Sequence, residues 1–446
     1  MNQPPAQLTH AQIFRFWSPL AATWLMMAIE GPFLAAVIAR MGDTAHNLAA
    51  YGVAYAFGLV AESPIIMLMS AAATLVRDAD SYRRLRNFST FLNLGVTAAL
   101  ALLVVPPVFD LVGRRLIGLT PEVARLTHLS LVLLLPWPAA IGFRRFYQGV
   151  LIRGHKTRRV AVATSVRVVA MAATALALYR FAAIPGACVG ALALSAGVTA
   201  EALLTRYMAA GAIADALAAP VDADAEPMGY REIGRFYLPL ALTPFIGLSV
   251  HPMVTFFLGR GAFPVESLAV MPVIYGLTFV FRAIGLSFQE VALALVGKNF
   301  EHYRMLRDFA VRVAAAATAV LALIAFTPLA DVWFVGVSGL TPELAAFATT
   351  PLMIMAIIPA LTVWISFQRS ILMVGRLTGP ITVATAIEAA AIFLLLGLVV
   401  AYSGLSGMTG AAMAYIFGRF LSIGYLVRPQ AMVLKKAPPG GPASSP

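Results

Sequence analysis

Cysteine is all but missing from this chain. Cys188 stands alone among 446 residues, which excludes an intramolecular disulfide and a cysteine-held metal cluster. Charge is nearly as scarce. Charged residues make up 12% of the sequence, where a soluble globular chain carries about 25%; 60% is hydrophobic and the mean hydropathy is +0.85. So little charge on a chain of this length describes a polytopic membrane protein. Acids are the rarer sign, 20 against 32 lysines and arginines, for a formal charge of +12. This excess does not point to a nucleic-acid partner, because the basic residues fall in short loops between apolar runs, as the positive-inside rule expects.

Catalytic signatures are missing too. There is no H-E-x-x-H, no G-x-S-x-G and no aspartate pair of the kind that holds magnesium against a diphosphate, so no enzyme is expected. Gly149 to Thr157, GVLIRGHKT, nearly spells a phosphate loop, but His155 intrudes between Gly154 and Lys156 and no strand precedes it. Without an ATPase motif, any transport would draw on a gradient or on downhill flux. The N-terminus lacks a basic head, a short apolar core and a small-residue cleavage site, so no cleaved signal peptide is expected. No cofactor and no metal are expected either.

What the chain does have is long apolar runs. The run from Phe16 to Arg40, FWSPLAATWLMMAIEGPFLAAVIAR, has the length of a membrane-spanning helix and carries one acid, Glu30, well inside. Pro32 cannot donate a backbone hydrogen bond and its ring crowds the carbonyl of Ala28, so a bend is expected beside Glu30. Further runs predict helices near 14–38, 49–76, 88–112, 129–152, 160–181 and 185–208, then near 235–259, 268–297, 308–332, 349–373, 380–402 and 406–428. That is about twelve spans, an all-α fold. Basic residues concentrate after the even-numbered spans, at Arg77 to Arg86, Arg153 to Arg159, Lys298 to Arg307 and Arg428 to Lys436, which places both termini in the cytoplasm.

The chain also repeats itself at an offset of about 220 residues. RFWSPLA at Arg15 to Ala21 returns as RFYLPLA at Arg235 to Ala241, and Pro32 corresponds to Pro252. SYRRLRNF at Ser81 to Phe88 matches HYRMLRDF at His302 to Phe309, and GLTPE occurs at Gly118 to Glu122 and again at Gly339 to Glu343. In that pentapeptide Thr120 or Thr341 is the expected N-cap, with Pro121 or Pro342 in the first turn. Six helices per repeat give two parallel halves related by a pseudo-twofold along the membrane normal. The expected divisions are a six-helix bundle over 1–215, a cytoplasmic linker over 216–234, a second bundle over 235–428 and a disordered tail over 429–446.

Glu30, Glu62, Glu201, Glu290, Glu388, His251, Arg144, Arg145, Arg167, Arg282, Arg369 and Arg419 all fall within predicted spans. At roughly 2.5–3.5 kcal/mol per charge at a helix centre, lipid exposure of them all would cost on the order of 30 kcal/mol, more than a fold stable by roughly 5–15 kcal/mol could absorb. They must pair, snorkel or line a wet cavity. Arg145, Arg369 and Glu201 lie near helix ends and are expected to snorkel. Glu62 is repeat-equivalent to Arg282, and Arg167 to Glu388; such pairs either meet near the pseudo-twofold axis or find partners within their own halves. Glu30, Glu62, Glu290 and Glu388 are candidate coupling or gating groups, with Pro32 and Pro252 as hinges; a proton or sodium ion is the expected coupling partner. His251, beside Pro252, is a second proton candidate. Arg144, Arg167, Arg282 and Arg419 would favour a small multivalent anion, since guanidinium forks match carboxylate and phosphate, with His251 and Tyr55 as further contacts and Trp24, Tyr275 and Phe279 available for stacking.

YQGVLIRGHKT at Tyr147 to Thr157 and FQRSILMVGRLTGP at Phe367 to Pro380, leaving the fourth and tenth spans of a six-plus-six repeat, resemble the multidrug and toxic compound extrusion (MATE) fold of the multidrug, oligosaccharidyl-lipid and polysaccharide (MOP) exporter superfamily. FWSPL with LAAYGVAY, FYLPLALTPFIGLSVHPMVTFFLGR, VGKN at Val296 to Asn299 and PLMIMAIIP at Pro351 to Pro359 resemble the progressive ankylosis (ANK) family. The ANK resemblance implies export of pyrophosphate, nucleotides or citrate. The drug-exporter resemblance implies cation efflux coupled to protons or sodium, with Glu30 and Glu290 as matching acids; a flippase for lipid or a lipid-linked precursor shares the fold. The expectation is a monomeric secondary transporter in the cytoplasmic membrane of a bacterium, working by alternating access.

Overall fold

The structure is a computed structural model that describes residues 8–154, 156–219, 229–297 and 299–435. Among these residues ten helices are long and apolar enough to cross a membrane, or eleven when a bent pair is taken as one span. We number the spanning segments α1 (His10–Ala39), α2 (Thr44–Glu62 and Leu68–Leu75), α3 (Ala79–Val104), α4 (Pro121–Arg153), α5 (Thr157–Phe181), α6 (Gly186–Met208), α7 (Tyr230–Arg260), α8 (Pro264–Leu295), α9 (Tyr303–Phe326), α10 (Pro342–Val374), α11 (Gly379–Tyr402) and α12 (Gly407–Lys435). Every predicted span has its counterpart. The second, α2, escapes the spanning test because a turn at Ser63–Met67 around Pro64 divides it.

Local chemistry sets these boundaries. Thr9 caps α1 through a reciprocal pair with Gln12, and Asp78 caps α3, where the backbone N–H of Ser81 holds its carboxyl below the usual carboxylate range. α3 stops at Val104 because Pro106 and Pro107 follow, and α9 stops at Phe326 two residues before Pro328. After each stop comes a π-helical turn, Asp110–Ile117 in the first repeat and Val332–Val337 in the second. Each then leads to a glycine with positive φ, Gly118 or Gly339, and to a helix opening on Pro121 or Pro342, with Thr120 or Thr341 as N-cap. The GLTPE reading holds in both copies, though only Thr341 makes the side-chain capping bond, to Leu344 N at 3.4 Å.

The proline expectations divide. α1 breaks at Ile29, between helical pieces His10–Ala28 and Glu30–Ala39, as the missing donor of Pro32 requires. In α7 the axis bends by 44° between Tyr230–Leu242 and Pro244–Arg260, so the proline that bends it is Pro244, whose ring crowds the carbonyl of Leu240; helix continues through Pro252. Two composition readings also change. The expected tail begins as helix, since α12 runs through Arg428 to Lys435, while residues 436–446 lie outside the described residues. The expected linker is helical at its edges, in Ala210–Ala218 and from Tyr230, and its centre, 220–228, is likewise outside them.

The chain forms two compact units, one comprising residues up to Ala36 together with Val270 onward, the other Val37–Ala269. Each repeat contributes its first helix to the unit that holds most of the other repeat. α1 packs with the later helices: Trp17 Nε1 donates to Ser287 Oγ at 2.9 Å, Trp24 Nε1 to Glu290 Oε1 at 3.2 Å, and Ile13 enters a core with Phe288, Phe309 and Phe367. α7 packs with the earlier ones. Tyr237 donates to Pro64 O at 2.5 Å, Arg260 donates to the carbonyls of Leu116 and Arg115 at 2.6 and 2.9 Å, and Ile233 joins Tyr82, Phe146 and Val150. Indole, phenol and guanidinium donors on the leading helices thus find acceptors in the unit they join, where hydrocarbon would leave them unsatisfied.

Close approach of α4 to the second piece of α2 depends on Gly149, where an added Cβ would lie 2.3 Å from Met69 O and 2.6 Å from Ala72 Cβ. Gly149→Ala is expected to lose about 1–3 kcal/mol and lower the thermal midpoint of the detergent-solubilised protein. Gly95→Ala, whose added carbon meets nothing within 4 Å, is expected to leave it unchanged or raise it slightly.

Candidate functional site

A buried carboxylate in a membrane bundle is stable only where donors converge on it. In the Val37–Ala269 unit that carboxylate is Glu201 on α6, fully buried. Arg144 and Gln148 stand one turn apart on α4 and both donate to it, Gln148 at 3.1 Å. Thr164 and Arg167, also one turn apart on α5, reach it at 3.0 and 3.5 Å. Arg145 lies beside this knot within electrostatic range of Glu62 and reaches Met69 Sδ at 3.8 Å. The expectation that Glu201 snorkels is therefore corrected: it is the hub of a four-donor network. Arg144 and Arg167, expected to line an anion cavity, are bound to that hub.

The other unit repeats the backbone and reverses the charge. Gly197 on α6 lets α5 approach so closely that an added Cβ would lie 3.0 Å from Arg167 O; its repeat partner Gly418 on α12 lets α11 approach so that a Cβ would lie 3.0 Å from Glu388 O. Arg167 and Glu388 are themselves repeat partners, so one helix crossing carries a cation in the first copy and an anion in the second. Glu388 Oε1 pairs with Arg419 Nη2 at 2.9 Å, both nearly buried. Arg167 and Glu388 each have a partner inside their own unit.

Around Glu388 and Arg419 gather two more arginines. Arg282 on α8 is within electrostatic range of both and lies over the ring of Phe279 at 6.0 Å. Arg369 on α10 donates to Thr385 Oγ1 at 3.2 Å and is within range of Arg282, Arg419 and Glu388. Its polar reach is into the bundle, to α11, and not outward as a snorkelling side chain would reach. Tyr275 and Tyr415 complete the group, their ring centroids 5.4 Å apart in an edge-to-face contact. The Nε atoms of Arg282, Arg369 and Arg419 are buried without a hydrogen-bond partner among the described residues, as are those of Arg144 and Arg145. The tallies differ more than the geometry. Arg144, Arg145 and Arg167 face Glu62 and Glu201, whereas Arg282, Arg369 and Arg419 face Glu388.

The remaining candidates lie apart from these clusters. Glu30 is half-buried at the break in α1, and Glu290 is exposed and bonded to Trp24. His251 meets Tyr55 edge to face at 6.1 Å, and Tyr55 in turn touches Tyr51 and Trp137, so these two belong to an aromatic cluster within the Val37–Ala269 unit. No group of three or more metal-ligating side chains occurs among the described residues. Sequence reasoning missed Arg369 and Tyr415 as members of a cluster and Glu201 as a hub. The one-turn spacings of Arg144 with Gln148 and of Thr164 with Arg167, each facing the same neighbouring helix, were the signal available for the hub.

Solved structures share this architecture. An inward-facing multidrug resistance MATE family transporter of the MOP superfamily matches with a TM-score of 0.69 at 15% identity, over 93% of this chain and 96% of that one. The inward closed conformation of the lipid II flippase MurJ matches at 0.65 and 12% identity, over 94% and 91%. A MOP superfamily transporter from Pyrococcus furiosus, described as having a binding pocket of reverse polarity that suggests a different function, matches at 0.62 and 14%, over 94% and 96%. The fold is that of the MATE and MOP transporters, as the six-plus-six repeat leads one to expect. No protein-family model matches the sequence, and no curated protein matches it.

Removing Glu201 leaves buried guanidinium charge without its counter-ion, so Glu201→Ala is expected to cost about 3–5 kcal/mol. Thermal unfolding of the purified protein measures this. The isosteric Glu201→Gln, which still accepts hydrogen bonds but carries no charge, is expected to fall between it and the parent.

Proposed function

We propose that the chain is a secondary transporter of small multivalent anions, of the pyrophosphate, nucleotide or citrate class, working by alternating access in a bacterial cytoplasmic membrane and belonging to the ANK-like branch of the MOP superfamily. One observation carries the reading: three arginines, the buried Arg419 and the half-buried Arg282 and Arg369, gather around one carboxylate, Glu388. A buried positive surplus is costly until an anion neutralises it, and planar guanidinium forks suit phosphate and carboxylate oxygens. Tyr275 and Tyr415 would add hydroxyl donors. Arg419 is held by Glu388, and an entering dianion would compete with Glu388 for it.

In this reading Arg144 and Arg167 brace the Val37–Ala269 unit through Glu201, and the substrate contacts are Arg282, Arg369 and Arg419. The break beside Pro32 and the bend at Pro244 supply hinge points, and Glu30, Glu62 and Glu290 are the acids available for proton or sodium coupling. A binding pocket of reverse polarity is described for the Pyrococcus furiosus protein of this fold. Multidrug efflux and lipid II flipping, named for other proteins of this fold, are the competing activities.

Efflux from proteoliposomes tests the proposal, with pyrophosphate, citrate, a nucleotide and a cationic dye loaded in turn. Anion efflux is expected, reduced about tenfold or more by Arg282→Gln and by Arg369→Gln, since a hydrogen bond to a charged group is worth about 1.5–3 kcal/mol. Dye export that requires Glu30 while anions are ignored, or lipid translocation without anion flux, would overturn it.

A further inference from the structure

Outside the buried clusters, the Val37–Ala269 unit carries a cavity of about 350 Å³ at the end of the bundle where basic loops converge. Its floor is made of small and apolar groups, Val150, Ala212 and Ala216, all buried. The opening exists because the helix Ala210–Ala218 turns alanines toward the end of α4. Three elements supply the charged rim: Arg77 after α2, Arg153 at the end of α4, and Asp215 on the short helix. The carboxylates nearby are engaged. Asp215 pairs with Lys156 at 3.1 Å, Asp78 caps α3 through Ser81, and Asp80 pairs with Arg84 at 2.8 Å. Arg153 spends one N–H on the carbonyl of Arg77, at 3.1 Å, which fixes the loop without neutralising either cation. No carboxylate pairs with Arg77 or Arg153 among the described residues.

The depth of the cavity follows from its neighbours. Tyr207, in the last turn of α6 just before the short helix, is 79% exposed, and Leu203 one turn earlier is 66% exposed. A tyrosine projecting outward at the end of an apolar span sits where aromatic side chains gather, at headgroup level. Two guanidinium groups with no salt-bridge partner among the described residues, Asp78 acting on Arg77 only through the field and Asp215 held by Lys156, over an apolar floor at that level suit a phosphate whose remaining atoms are neutral or hydrocarbon.

We propose that this cavity is a binding site for a phosphate group, held between Arg77 and Arg153, and that its source is the headgroup of an anionic phospholipid. The site is independent of the anion-transport reading and shares no residue with it.

Native mass spectrometry of the full chain released from phosphatidylcholine nanodiscs with and without phosphatidylglycerol tests it. The parent is expected to retain phosphatidylglycerol, and Arg77→Glu to retain about tenfold less; this variant leaves in place the backbone carbonyl that Arg153 binds. Ala219→Trp, which fills the cavity with every charge intact, is expected to show the same loss, whereas Arg86→Glu, on the same basic face but outside the cavity, is expected to match the parent. A second arm uses phosphatidylcholine nanodiscs with added inorganic phosphate. An Arg77-dependent rise in thermal midpoint there, with no preference for phosphatidylglycerol, would keep the phosphate site and overturn its lipid source. Equal retention in all variants, or equal loss in Arg86→Glu, would overturn the site itself.

Discussion

A carboxylate in hydrocarbon must be met by donors or lose its charge, and this constraint shapes the first repeat around Glu201. Satisfying it takes one donor pair from α4 and another from α5, each pair spaced by one helical turn so that both members face the same oxygen atoms. Three helices are thereby fixed in rotation as well as position. Gly197 makes the arrangement possible by letting α5 and α6 approach until a side-chain carbon would collide. Packing alone, in a solvent as apolar as the side chains themselves, gives such helices little reason to choose one rotation over another.

The second repeat keeps the crossing and discards the solution. Gly418 stands against the carbonyl of Glu388 as Gly197 stands against that of Arg167, but the charges have changed places and the counter-ion now comes from Arg419, adjacent to the glycine. Arg282 and Arg369 then add two positive charges with no second acid among the residues they sense. The same helix crossing thus carries an unequal charge balance in the two copies. In the first copy the arginines gather on Glu201; in the second, three arginines share Glu388.

Much of this was legible in the residues. The apolar runs located every spanning segment, because length and hydropathy are set by the bilayer and survive any tertiary rearrangement. GLTPE announced two helix starts, and Pro32 announced the break at Ile29, because capping and a missing N–H act within one turn. What depended on other helices was not legible. Pro244 and Pro252 are equally unable to donate, and nothing local says which of them the surrounding packing lets bend. Glu201 looked like a helix-end residue, since the four donors that enclose it come from other helices. The exchange of α1 and α7 was invisible for the same reason: internal similarity shows that two segments correspond, and is silent about which neighbours each one packs against.

That exchange bears on how the units could move. α1 and α8 are each continuous enough to carry residues of both units, with the division falling at Ala36 in the first and Val270 in the second. A helix that belongs to two bodies must bend or twist when they shift, and the cheapest place to do so is where its hydrogen-bond ladder is already interrupted. In α1 the ladder is interrupted beside Pro32, and the side chain placed at that weak point is Glu30. Glu30 and Pro32 thus lie within one helical turn of the interruption at Ile29. Arg282 stands on α8, the other helix divided between the units, two turns beyond Tyr275. Glu30 and Arg282 therefore lie on the two helices whose residues are divided between the units.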